Sequence, residues 1–231
     1  MSLKLCSINC NGLSRAVRSN YILNRCHQLN FDIIFFQETH FQFNHESRKT
    51  FKGQGFTGKL YTSNGTRNSR GVAIYLNNFL NYSVKNITKD FEGRLISLDI
   101  DIGENKWRLI NVYVPNVPAD RNTFLNNLSN YLVTTRDIIL GGDFNFVEDR
   151  RLDRLGGVSN RADNGIVAIQ NLKKDFFLVD AFRILYKNKK EYTFRKADFH
   201  ARLDRFYISQ SLAKWIEKIK VHLRGYLITI L

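Results

Sequence analysis

Polar and apolar positions along this chain alternate, or the apolar ones form short runs, over much of its length, a pattern typical of β-strands. The clearest alternation spans residues 95–102, where Ile96, Leu98, Ile100 and Ile102 are predicted to face a core and the polar residues between them to face solvent. Residues 107–113 follow as a hairpin partner. Shorter apolar runs predict further strands at residues 3–9, 31–36, 71–76, 138–140 and 226–231.

Apolar residues at helical spacing predict helices between these strands. They lie within residues 22–29, 124–132, 166–176 and 212–219. Residues 192–194 and 203–208 are expected to form two arms of a hairpin around a basic loop. Residues 41–70, whose periodicity is weak, are expected to form a surface excursion. Because no linker, repeat or low-complexity tract interrupts the chain, the pattern predicts one α/β domain over residues 1–231.

Charge narrows the choice of partner. The 231 residues include 35 Lys and Arg against 21 Asp and Glu, a net charge of +14, which favours a nucleic-acid partner over a merely basic soluble protein. No apolar run reaches membrane-spanning length and no signal-peptide pattern begins the chain, so we expect no membrane partner. The three cysteines form no zinc-site or disulfide pattern, which favours a reducing intracellular compartment.

Candidate chemistry lies where predicted strands end. Asp143 and Asn145 follow an apolar run and the pair Gly141-Gly142, which lets the backbone turn or approach another chain segment closely. Alone, this stretch is more typical of an ordinary turn than of a site. Four further polar residues occupy comparable positions, and together they indicate a convergent site: Asn9, Glu38, Tyr113 and Asp204.

The donor atoms of this set are those that a hard cation prefers. Carboxylate and amide oxygens without cysteine or clustered histidine suit Mg²⁺, with Mn²⁺ as the alternative, rather than Zn²⁺. A divalent cation with a carboxylate base, an amide and a phenol is able to cleave a phosphodiester, because the cation neutralises phosphoryl charge while the base activates water.

Five motifs in one order carry a family resemblance. They are Ser7-Ile8-Asn9, Gln37-Glu38-Thr39-His40, Asn111-Val112-Tyr113-Val114-Pro115-Asn116, Gly142-Asp143-Phe144-Asn145 and Arg202-Leu203-Asp204. This order resembles the endonuclease/exonuclease/phosphatase superfamily, with the DNase I-like fold of apurinic/apyrimidinic endonucleases. Within it, the chain is most similar to the endonuclease domain of LINE-type, non-LTR retrotransposons.

The resemblance implies a fold and a role for each residue of the set. The fold would be a four-layer α/β/β/α sandwich of two mixed sheets. Glu38 would be the principal Mg²⁺ ligand with Asn9 beside it, and Asp143 would position or deprotonate the attacking water. Asn145 would orient the scissile phosphate and Tyr113 would donate to a phosphate oxygen. Asp204 would hold a catalytic histidine.

One departure from the family pattern is visible. The superfamily's final Ser-Asp-His motif does not occur in this sequence, which ends in the apolar run 227–231 that would lead into it. We therefore expect a C-terminally truncated endonuclease domain that lacks the last strand. We also expect its cleavage to be roughly 10²–10⁴-fold slower than that of an extended chain, because a positioned catalytic group is missing.

Two basic segments are candidates for DNA contact. The loop of Arg195, Lys196, Phe199 and His200 combines positive charge with one aromatic ring, which suits a minor-groove wedge and equally a solvated turn. The other segment, the basic loop of residues 149–157, is expected to contact phosphates. The alternative for Arg154 is a local ion pair with its neighbour Asp153. Further DNA contacts are expected from Arg150, Arg151, Arg154, Thr193 and Arg202. For Thr193, the resemblance implies either this contact with the phosphate or a supporting role in the site.

The resemblance implies a Mg²⁺-dependent endonuclease that nicks one strand of double-stranded target DNA to prime reverse transcription. Such a domain would precede the reverse transcriptase region of the same polyprotein and would act in the nucleus. Two alternatives stay open. One is another activity of the same fold, either an apurinic/apyrimidinic repair endonuclease or a phosphatase acting on inositol lipids or sphingomyelin. The other is a catalytically impaired DNA-binding module, because the histidine motif is absent.

Overall fold

Fifteen strands and five α-helices are present in the computed structural model, which describes residues 3–13, 15–157, 165–222 and 225–230. The strands are β1 (Leu3–Asn9), β2 (Ile33–Gln37), β3 (Lys59–Ser63), β4 (Val72–Leu76), β5 (Tyr82–Lys89), β6 (Leu95–Ile102), β7 (Asn105–Tyr113), β8 (Asp137–Asp143), β9 (Arg154–Leu155), β10 (Leu178–Asp180), β11 (Phe194–Lys196), β12 (Phe199–Ala201), β13 (Asp204–Ser209), β14 (Ile216–His222) and β15 (Gly225–Ile230). The helices are α1 (Ala16–Leu29), α2 (Asn44–Lys52), α3 (Pro118–Leu132), α4 (Ile166–Asp175) and α5 (Ala181–Leu185), with a 3₁₀ helix at Gln210–Trp215.

The strands form two six-stranded mixed sheets and one small sheet. The first large sheet has the order β14-β15-β1-β2-β4-β3, and the second has the order β10-β13-β8-β7-β6-β5. In each large sheet one parallel pair lies among antiparallel neighbours: β1 with β2, and β7 with β8. The small sheet has the order β11-β12-β9.

Three apolar cores define four layers, as expected for an α/β/β/α sandwich. The central core lies between the two large sheets, where Phe35 of β2 faces Phe206 of β13. A second core lies between the second sheet and helices α3 and α4, and a third lies between the first sheet and helices α1 and α2. The central strands of each sheet are therefore buried on both faces, which explains the continuous apolar character of β2 and β4.

Strand β8 runs straight through its two glycines. The stretch does not turn at this point, because β8 pairs with β7 and β13 as far as Asp143. Close approach is what requires the glycines: a Cβ on Gly141 would lie 2.4 Å from the Phe206 ring, and one on Gly142, whose φ is +140°, would lie 2.0 Å from the Val112 carbonyl oxygen. The glycines therefore let the central strand pack tightly on both sides up to the carboxylate.

Two sequence predictions about elements are wrong, and a third, for residues 41–70, is incomplete. Residues 41–70 contain α2 and β3, whose weak periodicity reflects a half-buried helix and an edge strand. Residues 203–208 do not return along 192–194; instead β11 pairs with β12, while β13 joins the second large sheet beside β8. Residues 212–219 form the end of a 3₁₀ helix and most of β14, because the apolar residues of 216–221 serve a two-sided strand.

The expected solvent face of β6 is also covered. Asp99 is only 8% exposed and accepts a bidentate pair of hydrogen bonds from Arg108, at 2.6 and 2.8 Å. The alternation predicted the strand correctly. The polar face of β6 is nevertheless covered, because Asp99 on this face is paired with Arg108 rather than exposed to water. Among the described helices, none is long and apolar enough to cross a membrane.

Candidate active site

Polar side chains from both large sheets meet at one end of the sandwich. The parallel pair β1–β2 brings Asn9 and Glu38 to this end, and Tyr113, Asp143 and Asp204 reach it through the pairing of β7, β8 and β13. The Asn9 side-chain amide spans the two sheets, since its Nδ2 donates to Glu38 Oε1 at 2.8 Å and to Asp143 Oδ2 at 2.8 Å. The residues that the sequence singled out at separate strand ends are therefore brought together.

Glu38 occupies a strained position just beyond β2. Its φ is +51°, and that of His40 is +58°, conformations that cost a non-glycine residue about 1–3 kcal/mol and persist where the surroundings enforce them. Burial opposes ionisation of Glu38, but the His40, Asn9 and Tyr113 side chains around the carboxylate outweigh it and lower the pKa. Glu38 is therefore held as a carboxylate next to Asp143.

Asp143 is buried at the end of β8. Burial raises its pKa to about 6, even though the Asn9 amide and the Asn145 backbone N–H both donate to its carboxylate. The Asn145 side chain is oriented by the adjacent loop, because its Nδ2 donates to the Val114 carbonyl oxygen at 2.8 Å. Arg121 in turn donates to the Asn145 carbonyl oxygen at 2.8 Å.

Asp204 faces Asp143 across the β8–β13 pairing and is 4% exposed. Burial and the nearby Asp143 charge raise its pKa to about 8. Within the described residues, Asp204 Oδ1 accepts no hydrogen bond. Thr193 is buried beside it and accepts hydrogen bonds from the Leu203 and Asp204 backbone N–H groups at 3.0 and 3.1 Å. Thr193 therefore supports the start of β13; as a direct DNA contact it is wrong, because it is only 1% exposed.

Tyr113 completes the group of side chains at the strand ends. Burial and the carboxylates of Glu38 and Asp143 raise the pKa of its phenol, so the hydroxyl keeps its proton at neutral pH. Arg94, which sequence reasoning did not single out, lies over the Tyr113 ring at 5.4 Å and donates to its carbonyl oxygen at 3.2 Å. Arg94 therefore fixes the strand end from which Tyr113 projects.

A chain of buried amides beneath the site was also missed. Gln37 Nε2 donates to Ser7 Oγ at 3.0 Å and to Asn111 Oδ1 at 2.7 Å. Asn111 Nδ2 donates to the carbonyl oxygens of Phe36 and Ala73. This chain ties β1, β2, β4 and β7 together. Its signal was present in the sequence, since all three polar residues occupy core positions of otherwise apolar strands.

The site suits a hard divalent cation. Glu38, Asp143 and Asp204 concentrate acidic groups in a largely buried space, and an Asp204 oxygen has no donor among the described residues. No group of three His, Cys, Asp or Glu side chains at metal-binding spacing occurs in the described ranges, so a cation held by Glu38 would keep several waters, as Mg²⁺ commonly does. Asn9 points its Nδ2 at Glu38, and its Oδ1 accepts from the Asn11 N–H at 3.0 Å, so it would bind a cation only after rotation of the amide.

The two predicted DNA-binding segments form one structure. β9, from the loop of Arg150, Arg151 and Arg154, pairs with β12 of the hairpin. Arg154 lies over the Phe199 ring at 5.3 Å and donates to the carbonyl oxygens of Gly156 and Gly157. Phe199 and His200 are half-buried, since Phe199 also contacts Phe194 and His200 contacts Tyr192. The exposed positive groups of this small sheet and its loop are Arg151, Arg195 and Lys196.

Arg202 is wrong as a DNA contact. It is 1% exposed, and its guanidinium donates to both carboxylate oxygens of Asp153 and both of Asp180. Asp153 also pairs with Arg183, so its expected local pairing with Arg154 is wrong as well. Burial would raise the pKa of Asp153, but Arg202, Arg205 and Arg183 lower it to about 2. This buried ion network anchors the loop that carries β9.

The fold and the converging carboxylates define a protein of the DNase I-like, apurinic/apyrimidinic-endonuclease-like class. The AP endonuclease LMAP from Leishmania major superposes with a TM-score of 0.76 at 16% identity, over 99% of this chain and 87% of that one. An AP endonuclease from Archaeoglobus fulgidus superposes with a TM-score of 0.75 at 19% identity, over 99% of this chain and 98% of that one. These similarities show the fold.

The chain belongs to the endonuclease/exonuclease/phosphatase family, whose sequence model matches residues 6–219. Proteins of this family generally depend on a divalent metal ion. A relative in Xenopus laevis, the transposon TX1 uncharacterized 149 kDa protein, is 29% identical over 233 residues. That match covers 98% of this chain and 17% of the relative, so the chain corresponds to a small part of the transposon protein's length.

Proposed function

We propose that this chain is a Mg²⁺- or Mn²⁺-dependent DNA endonuclease that nicks one strand of target DNA to prime reverse transcription during retrotransposition. The observation that carries the hydrolytic part is the Asn9 amide joining the Glu38 and Asp143 carboxylates from two different sheets. The net charge of +14 supports DNA as the substrate. The similarity to a transposon protein supports the retrotransposition role.

Each residue of the site has a chemical role in this proposal. Glu38, assisted by Asn9, holds the divalent cation, which when bound supplies charge neutralisation at the scissile phosphate. Asp143 takes the proton of the attacking water, and its pKa of about 6 lies close to neutral pH, where a general base is efficient. Asn145 has one side-chain N–H on the Val114 carbonyl and offers the other to the phosphate. Tyr113 donates its retained hydroxyl proton to a phosphate oxygen.

The small sheet and its loop are proposed to engage double-stranded DNA next to this site. Arg151, Arg195 and Lys196 are exposed and suit phosphate contacts, which dominate affinity in such complexes. Phe199 and His200 lie half-buried behind them and stiffen the hairpin. The hairpin tip is also proposed to act at the minor groove, because it combines positive charge with an aromatic ring.

The similarity to the transposon protein also supports a proposed polyprotein context and a proposed location in the cell. We propose that the domain precedes a reverse transcriptase region of the same polyprotein and acts in the nucleus on chromosomal DNA. The relative is much longer than the matched region, which leaves room for such a partner within one polypeptide.

A plasmid-nicking assay tests the hydrolytic proposal. Supercoiled DNA should be converted to open circles in Mg²⁺ or Mn²⁺ and left intact in EDTA. Asp143→Asn should lower the rate by about 10²–10⁴-fold because the base is lost. Glu104→Gln, an exposed change in the β6–β7 turn, is the matched control and should cleave normally. Equal rates for Asp143→Asn and the control would refute the role of Asp143.

A specific observation favours a second candidate, a DNA-binding module without catalysis. Asp204 would hold a histidine in this family, yet no described histidine hydrogen-bonds to it and its Oδ1 has no described donor. DNA binding without cleavage in either metal would establish this reading.

Running the same assay on duplexes with and without an abasic site separates a repair endonuclease, which would require the lesion, from a retrotransposon endonuclease, which would not.

A further inference from the structure

His40 stands beside the proposed metal ligand with its Nε2 directed at the Glu38 carboxylate. Its Nε2 lies 3.5 Å from Glu38 Oε2, and its side chain is only 11% exposed. Within the described residues, this nitrogen makes no hydrogen bond. A buried ring nitrogen normally finds a hydrogen-bond partner, because leaving one unsatisfied costs about 1–3 kcal/mol. The contact with Glu38 Oε2 therefore leaves Nε2 without a well-formed hydrogen bond, and a cation between the two atoms would satisfy both.

The backbone holds the ring in this place. His40 has a φ of +58°, and its N–H donates to the Arg70 carbonyl oxygen at 3.0 Å. On the other side, Gly12 leaves space for the imidazole, because a Cβ at that position would lie 2.9 Å from His40 Nδ1. The Gly12 N–H donates to the Glu38 carbonyl oxygen at 2.7 Å, which locks the glycine turn onto the same segment. The strained conformation and the glycine together aim the imidazole at Glu38.

The two oxygens of Glu38 have different surroundings. Asn9 donates to Oε1, whereas Oε2 faces His40 Nε2. Two atoms that each lie about 2.1 Å from one shared cation are roughly 3.0–3.5 Å apart in octahedral to tetrahedral geometry. The observed separation of 3.5 Å falls within this range and exceeds an ordinary N–H···O hydrogen bond. A residue that served only to hold Glu38 would be expected at hydrogen-bonding distance.

We propose that His40 Nε2 is a direct ligand of the cation that Glu38 binds, and that it tunes the site toward Mn²⁺ and other first-row transition ions over Mg²⁺. Imidazole nitrogen is a ligand for transition ions, whereas Mg²⁺ takes oxygen ligands. This inference rests on the proposed function, since it assumes that a divalent cation binds at Glu38. It adds a ligand and a metal preference that carboxylates and amides alone would not give.

The test is spectroscopic and does not depend on cleavage. Mn²⁺ is titrated into the purified chain, and the free-ion electron paramagnetic resonance signal gives the Kd. Pulsed measurements on the bound ion then show whether a ¹⁴N nucleus is coupled to it. The variants are His40→Gln, Glu38→Gln and the control His45→Gln. His45 is exposed on α2 and stacked on Phe43, so its loss should leave the metal site unchanged.

The expected result is a nitrogen coupling in the wild-type chain and in His45→Gln that disappears in His40→Gln. The Mn²⁺ Kd of His40→Gln should rise by about tenfold. Its Mg²⁺ Kd, measured by competition, should change less, because the glutamine oxygen suits Mg²⁺. Mn²⁺ bound in a Glu38-dependent way without any nitrogen coupling would overturn the inference and leave the proposed metal site standing. Equal Mn²⁺ affinity in wild type and Glu38→Gln would overturn both.

Protein labelled with ¹⁵N-histidine decides the question if His40→Gln does not fold. Replacing ¹⁴N by ¹⁵N in the wild-type chain must shift the coupling frequency if a histidine nitrogen binds the ion. An unshifted spectrum would refute histidine ligation without any substitution in the protein.

Discussion

Asn9 and Asp143 are joined by a 2.8 Å hydrogen bond although they belong to different sheets and stand 134 positions apart in the chain. Since the same Asn9 nitrogen also holds Glu38, loss of this amide should release both carboxylates. We predict that Asn9→Ala lowers nicking by about 10²-fold or more while the fold is retained. The measurement is the plasmid-nicking rate with a thermal melt. Asn24→Ala, an exposed change on α1, is the control; equal rates would contradict the prediction.

The acidic pair Asp143 and Asp204 should make the metal-free chain less stable as pH rises. Burial raises the pKa values to about 6 and about 8, so the folded state binds these protons more tightly than the unfolded chain does. The contribution of this pair to stability is then greatest below the ordinary carboxyl pKa near 4 and is lost as pH rises through about 6 to 8.

We predict that Asp204→Asn removes part of this dependence. In EDTA at pH 8, the variant should melt a few degrees above wild type, since a change of about 1 kcal/mol shifts the Tm of a domain of this size by roughly 2–4 °C. At pH 5 the two should melt at nearly the same temperature. Thermal melts over this pH range provide the check, and a variant that is less stable at pH 8 would refute it.

Gly141 should tolerate no side chain. A Cβ there would lie 2.4 Å from Phe206 and 2.9 Å from Phe35, so the two sheets would have to separate. We predict that Gly141→Ala costs about 3 kcal/mol in the free energy of unfolding, measured by urea denaturation. Gly103→Ala is the control, because that position has open space and a φ of +59°, so it should lose only about 1 kcal/mol from backbone strain. Adding Phe206→Leu to Gly141→Ala should recover part of the loss.

Substitution of the buried Arg202 should lower the stability of the fold without changing how DNA affinity depends on salt. Arg202→Met removes the arginine that joins the buried carboxylates of Asp153 and Asp180, leaves Asp180 without its ion partner, and should cost about 3–5 kcal/mol in the free energy of unfolding. It should leave unchanged the slope of DNA affinity against salt, measured on the folded fraction. An altered slope would restore Arg202 as a direct phosphate contact.

Arg195 and Lys196 should show the opposite behaviour. Both side chains are exposed on β11, so Arg195→Ala with Lys196→Ala should leave the thermal melt unchanged. If each contacts a phosphate, the double variant should reduce the magnitude of the slope of log K against log salt by about 2. Fluorescence anisotropy of a labelled duplex at several salt concentrations measures it. An unchanged slope would exclude this strand from the phosphate interface.

The sequence predicted most of the fold because its strong patterns coincide with buried strands. Residues 95–102 and 107–113 appear as β6 and β7, and the motif order indicated the two mixed sheets correctly. Prediction failed where pairing is set by distant partners. Nothing local in residues 203–208 shows that β13 lies against β8, more than 60 positions earlier, rather than against residues 192–194.

The site was predicted to the level of its convergent carboxylates and amides, since each ends a strong apolar run. Arg202 was misjudged because a basic residue near a hairpin is typical of a DNA contact. Its burial depends on Asp153 and Asp180, which no spacing rule connects to it. The motif that contains His40 predicted no role for this residue, because the direction of its ring depends on Gly12, which is 28 positions away.

The pairing of β9 with β12 means that the basic loop and the hairpin form one structural unit. A Cβ on Gly156 would lie 1.8 Å from the Asp198 carbonyl oxygen, so the loop and the hairpin tip fit only each other. This unit forms its own small sheet, whereas the proposed catalytic residues lie on or beside strands of the two large sheets. If the small sheet engages DNA as proposed, exchange of both segments together would change target preference, whereas grafting one segment alone would disrupt the small sheet and leave the two large sheets intact.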